Sequence, residues 1–259
     1  GMFSYQHRVF YYGQSDSEVV KGLIAPHHPK DAAKWELPKP VAYEPLYSAN
    51  QHVYTVDYDM VQAEIVLLAR DERYNPSLTP HIVLFNEYFG GGLSSLVFQE
   101  IRESKALAYS AFSFFTQPRT NQEAHYLLSY LGTQTDKLQE ALEALQNLTA
   151  KLPEVPDQFE QARDSVKKQI ATERITRTKI FWAYEENRKR GIYHDQRRDV
   201  YDKMQNITFN ELQAFFDHRV KGKQFRYLVL GSRDHLDFEL LRSLGPVEEL
   251  SLDALFNDT

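Results

Sequence analysis

Cysteine is absent from the 259 residues. That excludes disulfides, thiolate metal sites and a cysteine nucleophile, while leaving the compartment open. Also missing is any apolar run near the ~20 residues that a membrane-spanning helix needs. The opening "GMFSYQHRVFYYG" has neither the basic stretch nor the apolar core of a secretory signal. Gly1 ahead of Met2 reads as a remnant of tag removal, so Met2 is not fixed as a start. There is no basic surplus: 30 Lys and Arg stand against 36 Asp and Glu, a net charge of −6. With nothing to neutralise phosphates or anionic lipids, neither nucleic acid nor membrane is an expected partner.

Catalytic signatures are equally scarce. The nine histidines never form H-x-x-E-H, H-E-x-x-H or another helical i, i+4 pair, so no local zinc set is expected and the metal assignment for this chain is none. No G-x-S-x-G elbow supports a serine nucleophile. What the chain does have is 42% hydrophobic and 13% aromatic residues, enough for a sizeable core in a soluble globular protein.

Two stretches look alike. "HRVFYYGQSDSEVVKGL" from His7 and "FRYLVLGSRDHLDFELL" from Phe225 each run apolar strand, glycine, polar turn with Asp, amphipathic start. Gly13 and Gly231 mark the same point of each, about one domain length apart. Chance recurrence of a common strand-turn-helix is one reading, and tandem duplication is the other. On the second, residues 1–25 are the tail, strand plus helix, of a preceding homologous domain. Residues 26–48, with Pro26, Pro29, Pro38, Pro40 and Pro45 and no sustained period, read as a linker, leaving 49–259 as a second domain.

Within that domain, "QHVYTVDYDM" and "AEIVLLA" alternate or run apolar as two strands expected to be antiparallel neighbours. Pro80 opens a helix through Phe89. Gly90, Gly91 and Gly92 break it, and Leu93, Val97 and Ile101 give the next helix an apolar face. "ALAYSAFSFF" and "EAHYLLSYLG" read as strands, and leucines from Leu138 to Leu152 and then Phe159, Ala162, Val166 and Ile170 read as helices. A capping box joins Thr208 to Glu211. One closing strand is expected near Tyr227. Strands and helices in blocks predict an α+β fold: an antiparallel sheet with helices packed on one face.

The candidate site residues are ordinary one at a time. The three glycines could cap a helix and turn the chain, or let backbone amides approach a ligand; the lysine of a Walker loop is missing. Arg102 and Glu103 end the second helix, as solvated caps often do, and Tyr109 follows on the next strand. The charged aromatic stretch "RTKIFWAYEENRKRGIYHDQRRD" intersperses acids with its bases and reads as a solvated helix face.

Taken together, "NEYFGGGLSSLVFQEIRESKALAYSAFS" resembles the signature of the C-terminal halves of the insulysin and pitrilysin zinc metallopeptidases, relatives of mitochondrial processing peptidase. The ending "YLVLGSRDHLDFELLRSLGPVEELSLDALF" is similar to the C-termini of bacterial members. The resemblance implies a LuxS/processing-peptidase-like metallohydrolase fold and a place as the inactive, non-zinc-binding half. The zinc of the complete enzyme would belong to an N-terminal catalytic half, in the same polypeptide or a separate subunit. It implies unfolded peptide as substrate and leaves the compartment unknown, open between a bacterial periplasm and cytoplasm. Arg102 and Tyr109 match by motif the arginine and tyrosine that reach the active site from the second half, and Gly90, Gly91 and Gly92 would lie near the peptide path. Non-peptidase relatives also act as partners or scaffolds, which is the alternative role.

Overall fold

The computed structural model describes residues 5, 7–28, 35, 36, 39 and 50–256. Most of the expected linker therefore lies outside the described residues. Contacts divide the chain into two units, Gly1–Leu46 with Ile175–Ala183 and Tyr47–Arg174 with Tyr184–Thr259.

In the smaller unit, α1 (Ser17–Ile24) starts where Asp16 accepts the Glu18 N–H at 2.8 Å and satisfies one of the helix's free donors. The ring of Phe10 stacks on Phe181 at 5.4 Å. The strand expected from His7 does not form: residues 7–12 carry no strand. An extended segment becomes a strand only where a neighbouring strand completes its ladder of hydrogen bonds.

The larger unit is built on β1 (His52–Asp57), β2 (Gln62–Arg73), β3 (Ser110–Phe115), β4 (Ala124–Gln134), β5 (Arg226–Gly231) and β6 (Val247–Leu250). They form one sheet in the order β3-β4-β2-β5-β1-β6. The β3–β4, β4–β2 and β2–β5 pairs are antiparallel, while β1 runs parallel to both β5 and β6. The α+β class and the mostly antiparallel sheet agree with the sequence. Two details do not. β1 and β2 are not neighbours, because β5 enters between them, and β6 adds an edge strand after the one near Tyr227.

The helices are α2 (Thr79–Phe85), α3 (Leu138–Ala150), α4 (Pro156–Thr172), α5 (Arg177–Lys189), α6 (Gln196–Met204), α7 (Phe209–Arg219), α8 (Phe238–Leu244) and α9 (Leu252–Phe256). The sequence period explains the burial. Alternate residues Ala63, Ile65, Leu67 and Ala69 of β2 and Leu127 and Leu131 of β4 form one core with Ile82 and Phe85 of α2, Leu142 and Leu145 of α3 and Phe215 and Phe216 of α7. Phe85 sits among Phe89, Phe115 and Phe215 at centroid distances of 4.7, 5.5 and 5.6 Å. The other face of the sheet carries half-buried Val66, Leu68, Phe112, Phe114 and Tyr130. The capping box forms as the sequence predicts, with Glu211 N–H donating to Thr208 and Thr208 N–H to Glu211. The Glu211 carboxyl is held down to about 2, chiefly by the hydrogen bond from Lys203 and then by the Thr208 N–H.

Candidate functional site

The segment between α2 and β3 departs from a plain helix twice. A π turn, Asn86–Gly90, continues α2, and a second π turn spans Phe98–Ser104. Such turns widen the helix locally and change which residues face outward. In the second, Ile101 is fully buried while Arg102 and Glu103 face solvent. The guanidinium lies 4.8 Å above the Phe98 ring, and its Nε is 3.9 Å from Glu103 Oε1. A loose, exposed pair of this kind contributes at most about 1 kcal/mol and leaves the guanidinium donors open to a ligand.

The chain then turns sharply. Ala106 holds φ +50°, a left-handed conformation that a side-chain-bearing residue adopts at a cost. Three contacts keep it there: Leu107 N–H donates to Ile101 O at 2.9 Å, Lys137 Nζ donates to Ala106 O at 3.2 Å, and Thr133 Oγ1 donates to Leu107 O. Leu107 and Ala108 are buried, which anchors the turn from below. Tyr109 comes next, its N–H donating to Gly132 O at 2.8 Å and its ring 54% exposed.

The result is an open concavity of about 280 Å³ with Arg102, Glu103, Tyr109, Gln134 and Lys137 around it and residues 106–108 as its floor. Arg102 and Tyr109, seven residues apart on a π turn and at the head of β3, are thus brought to one site. Two cations and a phenol against one carboxylate suit a ligand carrying carbonyl or anionic oxygen.

Gly90, Gly91 and Gly92 do not line that concavity. Gly90 is buried, and a Cβ there would lie 2.3 Å from Ser113 O and 2.5 Å from Ser113 N. Its close approach is to the protein's own β3. At Gly91 a Cβ would come within 2.7 Å of Asn86 O, whereas Gly92 faces open space.

Sequence reasoning missed Gln134, Lys137 and Asn86. Gln134 Nε2 donates to Tyr109 Oη at 2.7 Å. Asn86 pairs with the free edge of β3, accepting the Phe115 N–H at 2.7 Å and donating to Phe115 O at 3.0 Å. Only strand register reveals the first contact and only the packing of the first π turn on β3 the second, so neither leaves a local sequence signal.

Among the described residues no three His, Cys, Asp or Glu side chains gather as a metal ligand set. Around the site one carboxylate, Glu103, stands beside a guanidinium, an ammonium and a phenol, which is not a zinc ligand set. Among the described residues no helix is long and apolar enough to cross a membrane.

Residues 8–169, well over half the chain, match the family described as the peptidase M16 inactive domain. The uncharacterized zinc protease YmxG of Bacillus subtilis is 35% identical over 71 residues, covering 27% of this chain and 17% of that protein. Two solved structures share the fold. A peptidase M16 inactive domain from Pseudomonas fluorescens superposes with a TM-score of 0.64 at 16% identity over 87% of this chain. A protease from Helicobacter pylori superposes with a TM-score of 0.67 at 16% identity over 85%. The chain spans 53% of each of those two chains, about half their length. The chain therefore belongs to the peptidase M16 inactive-domain family.

Proposed function

We propose that this chain is the non-catalytic, substrate-binding half of a zinc metalloendopeptidase that hydrolyses unfolded peptides. In this reading residues 1–25 are the tail of a preceding homologous domain, 26–48 the linker and 49–259 the inactive peptidase-like domain. Zinc belongs to the N-terminal catalytic half, where it supplies an activated water. This chain contributes Arg102, whose guanidinium holds a peptide carbonyl, and Tyr109, whose phenol donates to the oxygen that gains charge during attack. Gly90, Gly91 and Gly92, which do not line the concavity, would act on the peptide path only indirectly, through the packing of Gly90 on β3.

The observation that carries the reading is the shared concavity: an exposed arginine and an exposed tyrosine from different elements, held by a pinned, left-handed turn. A solvated cap and a packing tyrosine have no reason to be joined by that turn. The relative named a zinc protease supports the same assignment for the whole polypeptide.

The test is to assay the chain alone and paired with a zinc-binding half against an unstructured peptide. The chain alone should hydrolyse nothing and hold no stoichiometric zinc, and the pair should turn the peptide over. One equivalent of zinc on the isolated chain, removable with loss of peptidase activity, would sink the reading.

A further inference from the structure

The phenol of Tyr109 is held from one side. Gln134, the last residue of β4, donates through Nε2 to Tyr109 Oη at 2.7 Å. A phenol carries one hydrogen to give and lone pairs that accept. Accepting from Gln134 fixes the oxygen's orientation through a lone pair and leaves its hydrogen for another partner, with the open concavity on the free side.

Both carriers are tied into backbone pairing. Gln134 stands opposite Gln62 in the β2–β4 ladder, and the Tyr109 N–H is bonded to Gly132 O at 2.8 Å, two residues before Gln134. The adjoining Thr133 Oγ1 ties the same strand to Leu107 O. The Gln134 amide and the Tyr109 phenol therefore meet because the backbone register places them together. Gln134 is exposed at a strand end, so nothing in the core needs its side chain.

We propose that Gln134 is a positioning residue: by donating to Tyr109 Oη it aims the phenol hydrogen into the concavity, toward the oxygen of a bound peptide. The inference rests on the reading of Tyr109 as a substrate-contacting donor. It adds a residue at the rim of the concavity whose effect on turnover passes through the Tyr109 hydroxyl.

The experiment is peptide turnover by the complete two-half enzyme carrying Gln134→Met, Gln134→Glu, Tyr109→Phe and each Gln134 change combined with Tyr109→Phe. Gln134→Met removes one orienting hydrogen bond and should lower kcat roughly threefold to tenfold with KM held. Gln134→Glu keeps the shape but only accepts, so it draws the phenol hydrogen inward and should bring kcat down to the level of Tyr109→Phe. In the Tyr109→Phe background neither Gln134 change should cost anything further. Full kcat in Gln134→Glu, or equal losses with and without the Tyr109 hydroxyl, would overturn the proposal while leaving the role of Tyr109 standing. Unchanged turnover in Tyr109→Phe itself would instead remove the underlying reading and the proposal with it.

Discussion

The two ends of β3 are treated in opposite ways. At its C-terminal end the free edge is sealed: the Asn86 amide imitates a strand partner for Phe115, and Gly90 lies against the Ser113 backbone closely enough to exclude a side chain. At its N-terminal end the strand begins in the open, with Tyr109 exposed beside Arg102 above a turn that includes a left-handed alanine. Sealing an edge strand prevents unwanted pairing with another chain. Leaving the other end polar, exposed and braced from beneath is what a binding site requires. The difference teaches that Gly90 and the arginine–tyrosine pair, close together in one motif, lie against different parts of one strand.

Four substitutions and one titration sharpen that contrast. The largest stability effect is expected at Gly90. Because a Cβ there meets Ser113 backbone atoms rather than a flexible side chain, Gly90→Ala should cost roughly 1–3 kcal/mol or more by chemical denaturation. Asn86→Ala strips the partners from Phe115 N–H and C=O and should cost about 1–3 kcal/mol in the same assay. A cost within about 0.3 kcal/mol would mean that water replaces the amide and that the edge is not sealed.

Burial lowers the pKa of His125, whose ring is fully buried with Nδ1 3.0 Å from Thr116 O, and burial likewise lowers that of His81. Both rings are therefore neutral in the fold at neutral pH. Their contribution is present above the unfolded value of about 6.5 and is lost as pH falls below it toward the depressed folded values. Denaturation midpoints should drop as pH falls below about 6.5, and His125→Gln should flatten that slope; an unchanged slope would place the titrating group elsewhere. The smallest effect belongs to Gly92→Ala, where a Cβ meets nothing within 4 Å and stability should hold within about 0.5 kcal/mol.

Local pattern made much of this molecule readable. The leucine period from Leu138 predicts α3, apolar alternation predicts β2, β3 and β4, and Thr208 with Glu211 announces the start of α7. Parallel pairing was not readable. β5 lies far along the chain from β1, and a long crossover leaves no mark on the sequence near either strand. β6 escaped because four residues with Glu248 and Glu249 in the middle have no strand-like run of apolar residues. At the site, Arg102 and Tyr109 were found through a motif, yet Gln134 was not, because the strand read from the sequence ends at Gly132 and the contact depends on two further residues of β4. The glycines were legible as a place of close approach. What they approach, β3 itself for Gly90, emerged from packing.

The most direct test of the account is turnover of an unstructured peptide by the complete enzyme carrying Arg102→Ala or Tyr109→Phe in this half, with denaturation midpoints measured alongside. Loss of a donor to the developing charge predicts that Tyr109→Phe lowers kcat on the order of 100-fold while the fold stays intact, with Arg102→Ala also impaired. Full turnover in both variants would contradict a catalytic contribution and make this chain a partner or scaffold of the enzyme.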